Sequence, residues 1–176
     1  MPDRLPPLIA ATKTLASKPK WVDLGVQLDF TVPLDINGIT QIGLRLRGKC
    51  YSNHPDQNVT FQIEYQFRSL SKLVPVTRLE WRPHNEHQNP NFGPAELRLI
   101  RFRASHLHRF QENYDWLVGN GQPLADNIKA KDIPFAVPLD SDPDGFAALV
   151  VLMGRLFNID GVGAIPAPPW KAPRFL

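Results

Sequence analysis

The sequence predicts an α+β domain in which an antiparallel sheet of about five strands carries a C-terminal helix on one face and follows a short N-terminal helix. Two observations support this fold class. Apolar and polar residues alternate through four or five consecutive segments joined by hairpin-like links, which is the pattern of half-buried strands. The alternation then gives way to helical spacing, and the βαβαβ order of parallel nucleotide-binding folds is absent.

Length and composition fit one domain. The chain has 176 residues, of which 43% are hydrophobic, and this is enough for a core without covalent staples. We assign residues 1–160 to the domain and residues 161–176, which are rich in proline, to an extended tail. Cys50 is the only cysteine, which excludes an intrachain disulfide and a cysteine-based zinc cluster and fits a reducing cytoplasm.

Neither a membrane span nor a signal peptide is expected. No apolar run approaches the roughly 20 residues that a spanning helix needs. The first residues include Asp3 and Lys13, which interrupt what would be the apolar segment of a signal peptide. We therefore expect a cytoplasmic protein.

The first half of the chain predicts a helix and three strands. Residues 8–17 are alanine-rich and form the expected N-terminal helix. Alternation over residues 26–34 and 42–50 predicts two strands joined by an Asn-Gly turn at residues 35–38. The clearest strand is residues 59–67, where apolar and polar residues alternate without a break.

The next segments are less regular. A fourth strand spans residues 74–81, but its apolar residues change parity, so we expect a bulge near Arg78 or a sheet covered on both faces. Alternation resumes over residues 99–110 and predicts a fifth strand. Residues 112–133 have no sustained period and are expected to form a long surface excursion.

A helix is predicted after residue 141. Asp142 is expected to cap it, Pro143 to occupy the first turn and Asp144 to complement the helix dipole. The apolar residues that follow have helical spacing and form a stripe that can pack on the sheet. They are Phe146, Leu149, Val150, Met153 and Phe157.

A cluster of histidines is the one feature that indicates chemistry. Four of the five histidines fall within residues 81–115. His106 and His108 lie on the apolar side of the predicted fifth strand, where two imidazoles can act as base and acid on a ribose 2′-hydroxyl and a departing 5′-oxygen. We therefore hypothesise an RNA-acting protein, a metal-independent endoribonuclease with His106 and His108 as the catalytic pair and His87 and Glu112 as positioning residues.

The expected partner is nucleic acid, in particular RNA, and the net charge of +3 permits it. Seven cations are candidates for phosphate contacts because they lie on one strand face or near the histidines. They are Arg45, Arg47, Lys49, Arg98, Arg101, Arg103 and Arg109. Structural interpretations compete with these roles. The first three cations can form a solvated sheet face, and His106 and His108 can be buried rings bonded to main-chain carbonyls.

The histidine pair also resembles part of the first cupin motif. Residues 106–112 read H-x-H-x-x-x-E, and Gly119 follows at the cupin spacing. In cupins these residues bind a transition metal, so the resemblance implies a metal site at His106, His108 and Glu112. The motif's preceding glycine is replaced by Ile100, and the chain has no second motif.

A longer stretch resembles small uncharacterised bacterial families that carry an H-x-N-P-[ND]-G loop before an H-x-H-x-[FY]-x-E strand. Here the loop reads HQNPNFG at residues 87–93, and the strand reads HLHRFQE at residues 106–112. Such families are typical of mobile elements or toxin–antitoxin-like loci. The resemblance implies an RNA-acting protein.

Two other classes of function stay open. A non-enzymatic interaction protein, such as an inhibitor or accessory subunit of a nucleoprotein complex, would bind a protein partner through its tail or its basic strand face. A cupin-like protein would bind a metal. The ribonuclease hypothesis requires no cofactor, whereas the cupin-like alternative requires a transition-metal ion.

Overall fold

The computed structural model of the protein describes residues 4–119 and 132–171. The first part contains α1 (Leu5–Ala10), β1 (Lys13–Leu15), β2 (Val22–Asp23), β3 (Gln27–Ile36), β4 (Ile39–Tyr51), β5 (Val59–Tyr65) and β6 (Val74–Trp81). It continues with β7 (His87–Gln88), a 3₁₀ turn (Ala95–Leu97), β8 (Arg101–Phe102), β9 (His106–His108) and α2 (Phe110–Gly119). The last part contains β10 (Val137–Pro138), α3 (Phe146–Phe157), β11 (Ile159–Asp160) and a 3₁₀ turn (Val162–Ala164).

Within the described residues, the strands form one nine-stranded sheet and a separate hairpin of β7 and β8. The order in the large sheet is β10-β9-β6-β5-β4-β3-β1-β11, with β2 beside β3, and only β1 and β11 pair in parallel. The α+β class with N-terminal and C-terminal helices is confirmed. The expected number of about five strands is too low, because the additional strands are two or three residues long and too short to show a period.

The core lies between one face of the sheet and α3. On the sheet side, Leu46 pairs with both Val32 and Ile63, so their side chains form a continuous apolar row. The predicted stripe of α3 is confirmed, since all five of its residues are buried. Each large aliphatic side chain removed from water contributes about 1.5–3 kcal/mol.

The parity change in β6 is caused by a bulge. Ile63 pairs with Thr77 and Glu64 pairs with Pro75, which leaves Val76 without a partner. The expected bulge is confirmed, two residues before Arg78. Beyond it, the core-facing residues are those with odd numbers.

The strand predicted over residues 99–110 is two separate strands, β8 and β9, with a break around Ala104. In β9, Leu107 pairs with Leu79 and is the residue that joins the core. The two histidines therefore lie on the opposite face, and their predicted position on the apolar side is wrong. The alternation read through the break had no physical meaning, because β8 belongs to a different sheet.

Both helix predictions need correction at their boundaries. Helix α1 ends at Ala10, and Lys13 belongs to strand β1. The buried Nζ of Lys13 donates to Ile9 O at 2.7 Å and to Ala11 O at 2.6 Å. Helix α3 begins at Phe146 without a side-chain cap. Asp142 is therefore not the cap: it accepts hydrogen bonds from Arg82 Nε at 2.7 Å and from the Ser105 hydroxyl.

The expected excursion over residues 112–133 is wrong for its first part, which is helix α2, and residues 120–131 lie outside the described residues. The tail contacts the body as far as it is described: Trp170 packs edge-on against Phe146, and the Lys171 amide donates to Ser52 O at 2.7 Å. In the described parts of the chain, no helix is long and apolar enough to cross a membrane.

Candidate metal site

Three imidazoles converge on the face of the sheet opposite α3. His106 and His108 extend from β9, and His87 extends from the β7–β8 hairpin. The ring centroid of His87 lies 5.0 Å from that of His106 and 4.9 Å from that of His108. One nitrogen from each ring lies within 4.8 Å of the others, which makes this triad a candidate metal site.

Pairing of the strands explains this convergence. His106 lies opposite Glu80, and His108 lies opposite Arg78, in the register between β9 and β6. Side chains of paired residues share a face, so the histidines join the polar face of the sheet, defined here by Asp29, Arg47, Gln62, Arg78 and Glu80.

The hairpin of β7 and β8 covers the two histidines of β9. His87 pairs with Phe102 in this hairpin, and the Phe102 ring lies 5.0 Å from the His106 ring. As a result His106 is only 1% exposed and His108 only 2% exposed. The structural interpretation, in which these two histidines are buried, is confirmed.

Main-chain carbonyls fix the orientation of both buried rings. His106 Nδ1 donates to Ala104 O at 3.0 Å, and His108 Nδ1 donates to Ile133 O at 2.6 Å. When the neutral ring carries its proton on Nδ1, its lone pair is on Nε2. Both Nε2 atoms are buried and have no hydrogen-bond partner in the described residues.

His87 is held by Asn89. The Asn89 amide nitrogen donates to Leu97 O and Ala136 O, so its oxygen is the acceptor, and this oxygen also receives the Ala136 amide. The His87 Nε2–H therefore donates to Asn89 Oδ1 at 2.9 Å. Its lone pair is then on Nδ1, and all three rings have one nitrogen held by the protein, as histidine ligands of metals usually have.

A carboxylate faces the two unpartnered nitrogens. Glu80 Oε2 lies 3.6 Å from His106 Nε2, and Glu80 Oε1 lies 4.0 Å from His108 Nε2. Two lone pairs and a carboxylate at these distances repel one another unless a cation lies between them. One nitrogen from each of the three imidazoles lies within 4.8 Å of the others, and Glu80 borders this triad on the side of His106 and His108.

Burial keeps the two inner imidazoles uncharged. Desolvation lowers the pKa of His106 and lowers the pKa of His108 well below its usual value. For His108, the positive charge of Arg78 acts in the same direction. Neutral imidazole is the form that binds metals.

Two buried asparagines hold the segment that completes the site. Asn113 of α2 accepts the Phe135 amide at 2.9 Å and donates to Phe135 O at 2.8 Å, while Asn89 makes the equivalent pair of bonds to Ala136. Residues 132–136, here called the cover segment, are thereby fixed from both sides. The cover segment supplies the Ile133 carbonyl to His108.

The other residues proposed from the sequence lie elsewhere. Glu112 is on α2 and pairs with Arg109 at 3.2 Å, outside the triad. His84 packs edge-on against His54 with ring centroids 4.6 Å apart. Of the four clustered histidines, three therefore converge.

The proposed phosphate-binding cations do not form one track. Arg45 and Arg47 are paired with acids of the sheet, at 2.5 Å from Glu64 and Asp29 respectively. Arg103 is paired with Glu86 at 3.4 Å, and Arg98 donates to Gly93 O. Lys49 lines a shallow cleft beside Arg47, and Arg101 is exposed on the hairpin.

Sequence reasoning missed Glu80, Ile133 and the roles of both asparagines. Glu80 becomes visible only when β6 and β9 are known to pair, and Ile133 acts through its main-chain oxygen. In the sequence, Asn89 is visible only as part of the HQNPNFG loop at residues 87–93. Its position two residues after His87 was the available signal.

Comparison with family models, curated proteins and solved structures gave no match. The function of the chain is therefore inferred from its own geometry.

Proposed function

We propose that this chain is a metal-binding protein that holds one divalent transition-metal ion through His87, His106 and His108, beside Glu80. The observation that carries the proposal is the pair of buried, unpartnered Nε2 atoms of His106 and His108, which face a carboxylate 3.6–4.0 Å away. Leaving buried polar atoms unpaired costs about 1–3 kcal/mol each. A bound cation removes that cost for both nitrogens and for the carboxylate.

The ligands favour zinc and its neighbours in the first transition row. Imidazole nitrogens suit zinc, copper, nickel, cobalt and iron, whereas magnesium and calcium prefer oxygen. Zinc–nitrogen bonds of roughly 2.0–2.1 Å place tetrahedral ligand atoms roughly 3.3 Å apart. The three nitrogens, now within 4.8 Å of one another, would need to move closer by small ring rotations.

This proposal keeps the metal alternative suggested by the sequence but changes its ligands. The cupin resemblance implied Glu112 as the carboxylate, whereas Glu80 is the acid beside the triad. The ribonuclease hypothesis stays a prediction with less support, because an acid–base pair must reach its substrate and both of these rings are buried. The paired state of Arg45 and Arg47 likewise gives no specific support to a nucleic-acid track.

Metal binding can be measured directly on the purified chain. After removal of metals with a chelator, calorimetric titration with Zn²⁺ should give one ion per chain. Bound metal stabilises the folded state by about 4 kcal/mol at a thousandfold excess over Kd, which for a chain of this size raises Tm by roughly 10 °C.

Matched variants separate the triad from the other histidines. His87→Ala, which changes the least buried ring of the triad, should weaken Zn²⁺ binding about 100-fold or more. His84→Ala removes a histidine from the same loop, outside the triad, and should leave the affinity unchanged. Absence of stoichiometric binding in the unmodified chain, or equal effects of the two substitutions, would refute the proposal and favour a protonated imidazole paired with Glu80.

A further inference from the structure

The residues around Glu80 indicate which further ligand the metal would bind. Resting on the proposed function, we infer that the metal has an open coordination position on the Glu80 side, and that this position takes a small oxyanion, a carboxylate or phosphate group, with Arg78 as its cationic partner. The metal and the guanidinium would share the anion.

The open position follows from which side of the triad the protein leaves uncovered. His106 and His108 are sealed by the β7–β8 hairpin and by the cover segment. The Glu80 side chain, by contrast, is 27% exposed. Its carboxylate oxygens lie 3.6 Å and 4.0 Å from the two Nε2 atoms, and because this side chain is partly exposed it can turn towards solvent and leave its place beside the metal to an exchangeable ligand. Three protein nitrogens and one exchangeable ligand are the coordination of an open zinc site.

Arg78 is placed to bind an anion at that position. It lies directly opposite His108 in the register of β6 and β9, and its Nη1 is 3.6 Å from Glu80 Oε1. Its Nη2 is held by Asp132 at 2.7 Å and its Nε contacts Gln62 at 3.4 Å. Among the described residues, Nη1 has only the Glu80 contact, and a planar guanidinium fixed in this way presents that donor in a defined direction.

The charge balance of the polar face also favours an anion. Its cations near the metal position are Arg45, Arg47, Lys49 and Arg78. The acids that face them are Asp29, Glu64 and Glu80 of the sheet and Asp132 of the cover segment. Within this set, which leaves out Asp35 of β3 and Asp160 of β11 farther along the sheet, four positive and four negative charges cancel before a metal is added. A divalent ion would leave this face with a local excess of positive charge, which an anionic ligand would offset.

The cleft next to this position extends the same surface. Arg47, Lys49, Thr60 and Gln62 line a shallow surface cleft. Thr60 pairs with Glu80, and Gln62 pairs with Arg78, so the cleft begins one strand away from the metal position. Lys49 has no acid within ion-pair distance in the described residues, which leaves its ammonium group available to a longer anion.

Replacing zinc with cobalt allows anion binding at the open position to be followed by visible absorption. The chain loaded with Co²⁺ is titrated with inorganic phosphate, and separately with acetate, at constant ionic strength while the visible absorption of the metal is recorded. We expect a saturable spectral change, and the tighter of the two anions identifies phosphate or carboxylate as the better ligand. An unchanged spectrum with both anions, on a chain that binds cobalt stoichiometrically, overturns the inference and leaves the metal proposal standing.

Substitutions then test the cationic partner. Arg78→Gln should weaken phosphate binding about tenfold and Arg78→Lys less, because a charge-assisted hydrogen bond is lost in the first and partly kept in the second. Arg155→Gln removes one charge from α3, on the other side of the sheet, and is the matched control. Zinc affinity is measured in parallel for both Arg78 variants, so that phosphate binding is compared at full metal loading of each chain. If Arg78→Gln unfolds the chain, the phosphate affinity of Arg78→Lys is compared with that of Arg155→Gln instead. Equal phosphate affinities of these two variants overturn the role of Arg78.

Discussion

The Nδ1–H of His108 donates to the main-chain oxygen of Ile133 at 2.6 Å, across 25 residues of chain. This bond fixes the proton on Nδ1 and therefore turns the lone pair of Nε2 towards Glu80. It also makes the candidate metal site depend on the cover segment, which contributes no ligand. Substitutions in the supports of the cover segment should accordingly affect metal affinity and stability in separable ways.

Asn89 and Asn113 provide the first test of this dependence. Each is buried and bonds both main-chain groups of one residue of the cover segment. Asn89→Ala and Asn113→Ala should each lower the free energy of unfolding by about 2–4 kcal/mol, because buried main-chain groups lose their partners. Chemical denaturation of the metal-free chain measures this loss.

The two variants should differ in zinc affinity. Asn89 also accepts the Nε2–H of His87, whereas Asn113 has no hydrogen bond to a histidine among the described residues. Asn89→Ala should therefore weaken Zn²⁺ binding about tenfold or more, as loss of a hydrogen-bond partner of a metal ligand does. Asn113→Ala should weaken it much less, and a reversed order would contradict the assigned role of Asn89.

Gly93 gives a second test through packing. Its backbone has φ of +96°, and a Cβ at this position would lie 2.1 Å from Phe135 Cζ. Gly93→Ala should lower the free energy of unfolding by about 2–4 kcal/mol, since it adds backbone strain and displaces the Phe135 ring. Gly145→Ala is the control, because no atom lies within 4 Å of the added carbon there. Thermal unfolding should show a clear decrease in Tm for Gly93→Ala alone.

Acid should destabilise the metal-free chain in a defined pH range. The pKa values of His106 and His108 are lowered in the folded state, so below about 6.5 the unfolded chain binds protons that the folded chain does not. The free energy of unfolding therefore has its full value above pH 6.5 and decreases as the pH falls towards the pKa values of the two histidines in the folded chain. Each histidine contributes a slope of about 1.4 kcal/mol per pH unit.

Urea denaturation between pH 5 and 7, performed after chelation, measures that slope. His108→Gln should reduce it by about half, because the remaining contribution comes from His106. A stability that stays constant below pH 6.5, or increases there, would show that the rings are protonated in the folded chain.

Lys13 provides a fourth prediction, far from the candidate metal site. Its ammonium group is buried and donates to Ile9 O and Ala11 O at the end of α1, and burial lowers its pKa to about 8. Lys13→Met should lower the free energy of unfolding by about 2–4 kcal/mol, because the carbonyls lose their donor. Lys18→Met, at an exposed position, should change stability by less than about 0.5 kcal/mol. Equal effects on the urea midpoint would contradict this role for Lys13.

The long elements could be predicted from the sequence because each has its own period. β3, β4, β5 and the stripe of α3 follow directly from alternation or helical spacing, and burial of their apolar side is what stabilises them. β9 and β10 have three and two residues and acquire their structure from the strands that they pair with. Helix α2 was missed although Phe110, Tyr114 and Leu117 follow a helical spacing, because this spacing covers only two turns and no sustained period follows it.

The candidate site could be predicted only in part. The histidine cluster was visible as composition, and three of its four members converge. The face that they occupy is set by the pairing of β9 with β6, in which Leu107 lies opposite Leu79 in the core, whereas β8 belongs to a different sheet. Glu80 and Ile133 depend on pairing between distant segments, and a single sequence contains no direct signal of that pairing.

The parallel pairing of β1 with β11 has a consequence for synthesis of the chain. Lys13 and Thr14 leave the ribosome well before their partners Ile159 and Asp160, which follow 146 residues later in the chain. Until then, one edge of the growing sheet presents unpaired amides and carbonyls that another nascent chain can bind. Translation that stops before residue 159 would therefore yield a product prone to aggregate, even with its histidines, its asparagines and most of its core in place.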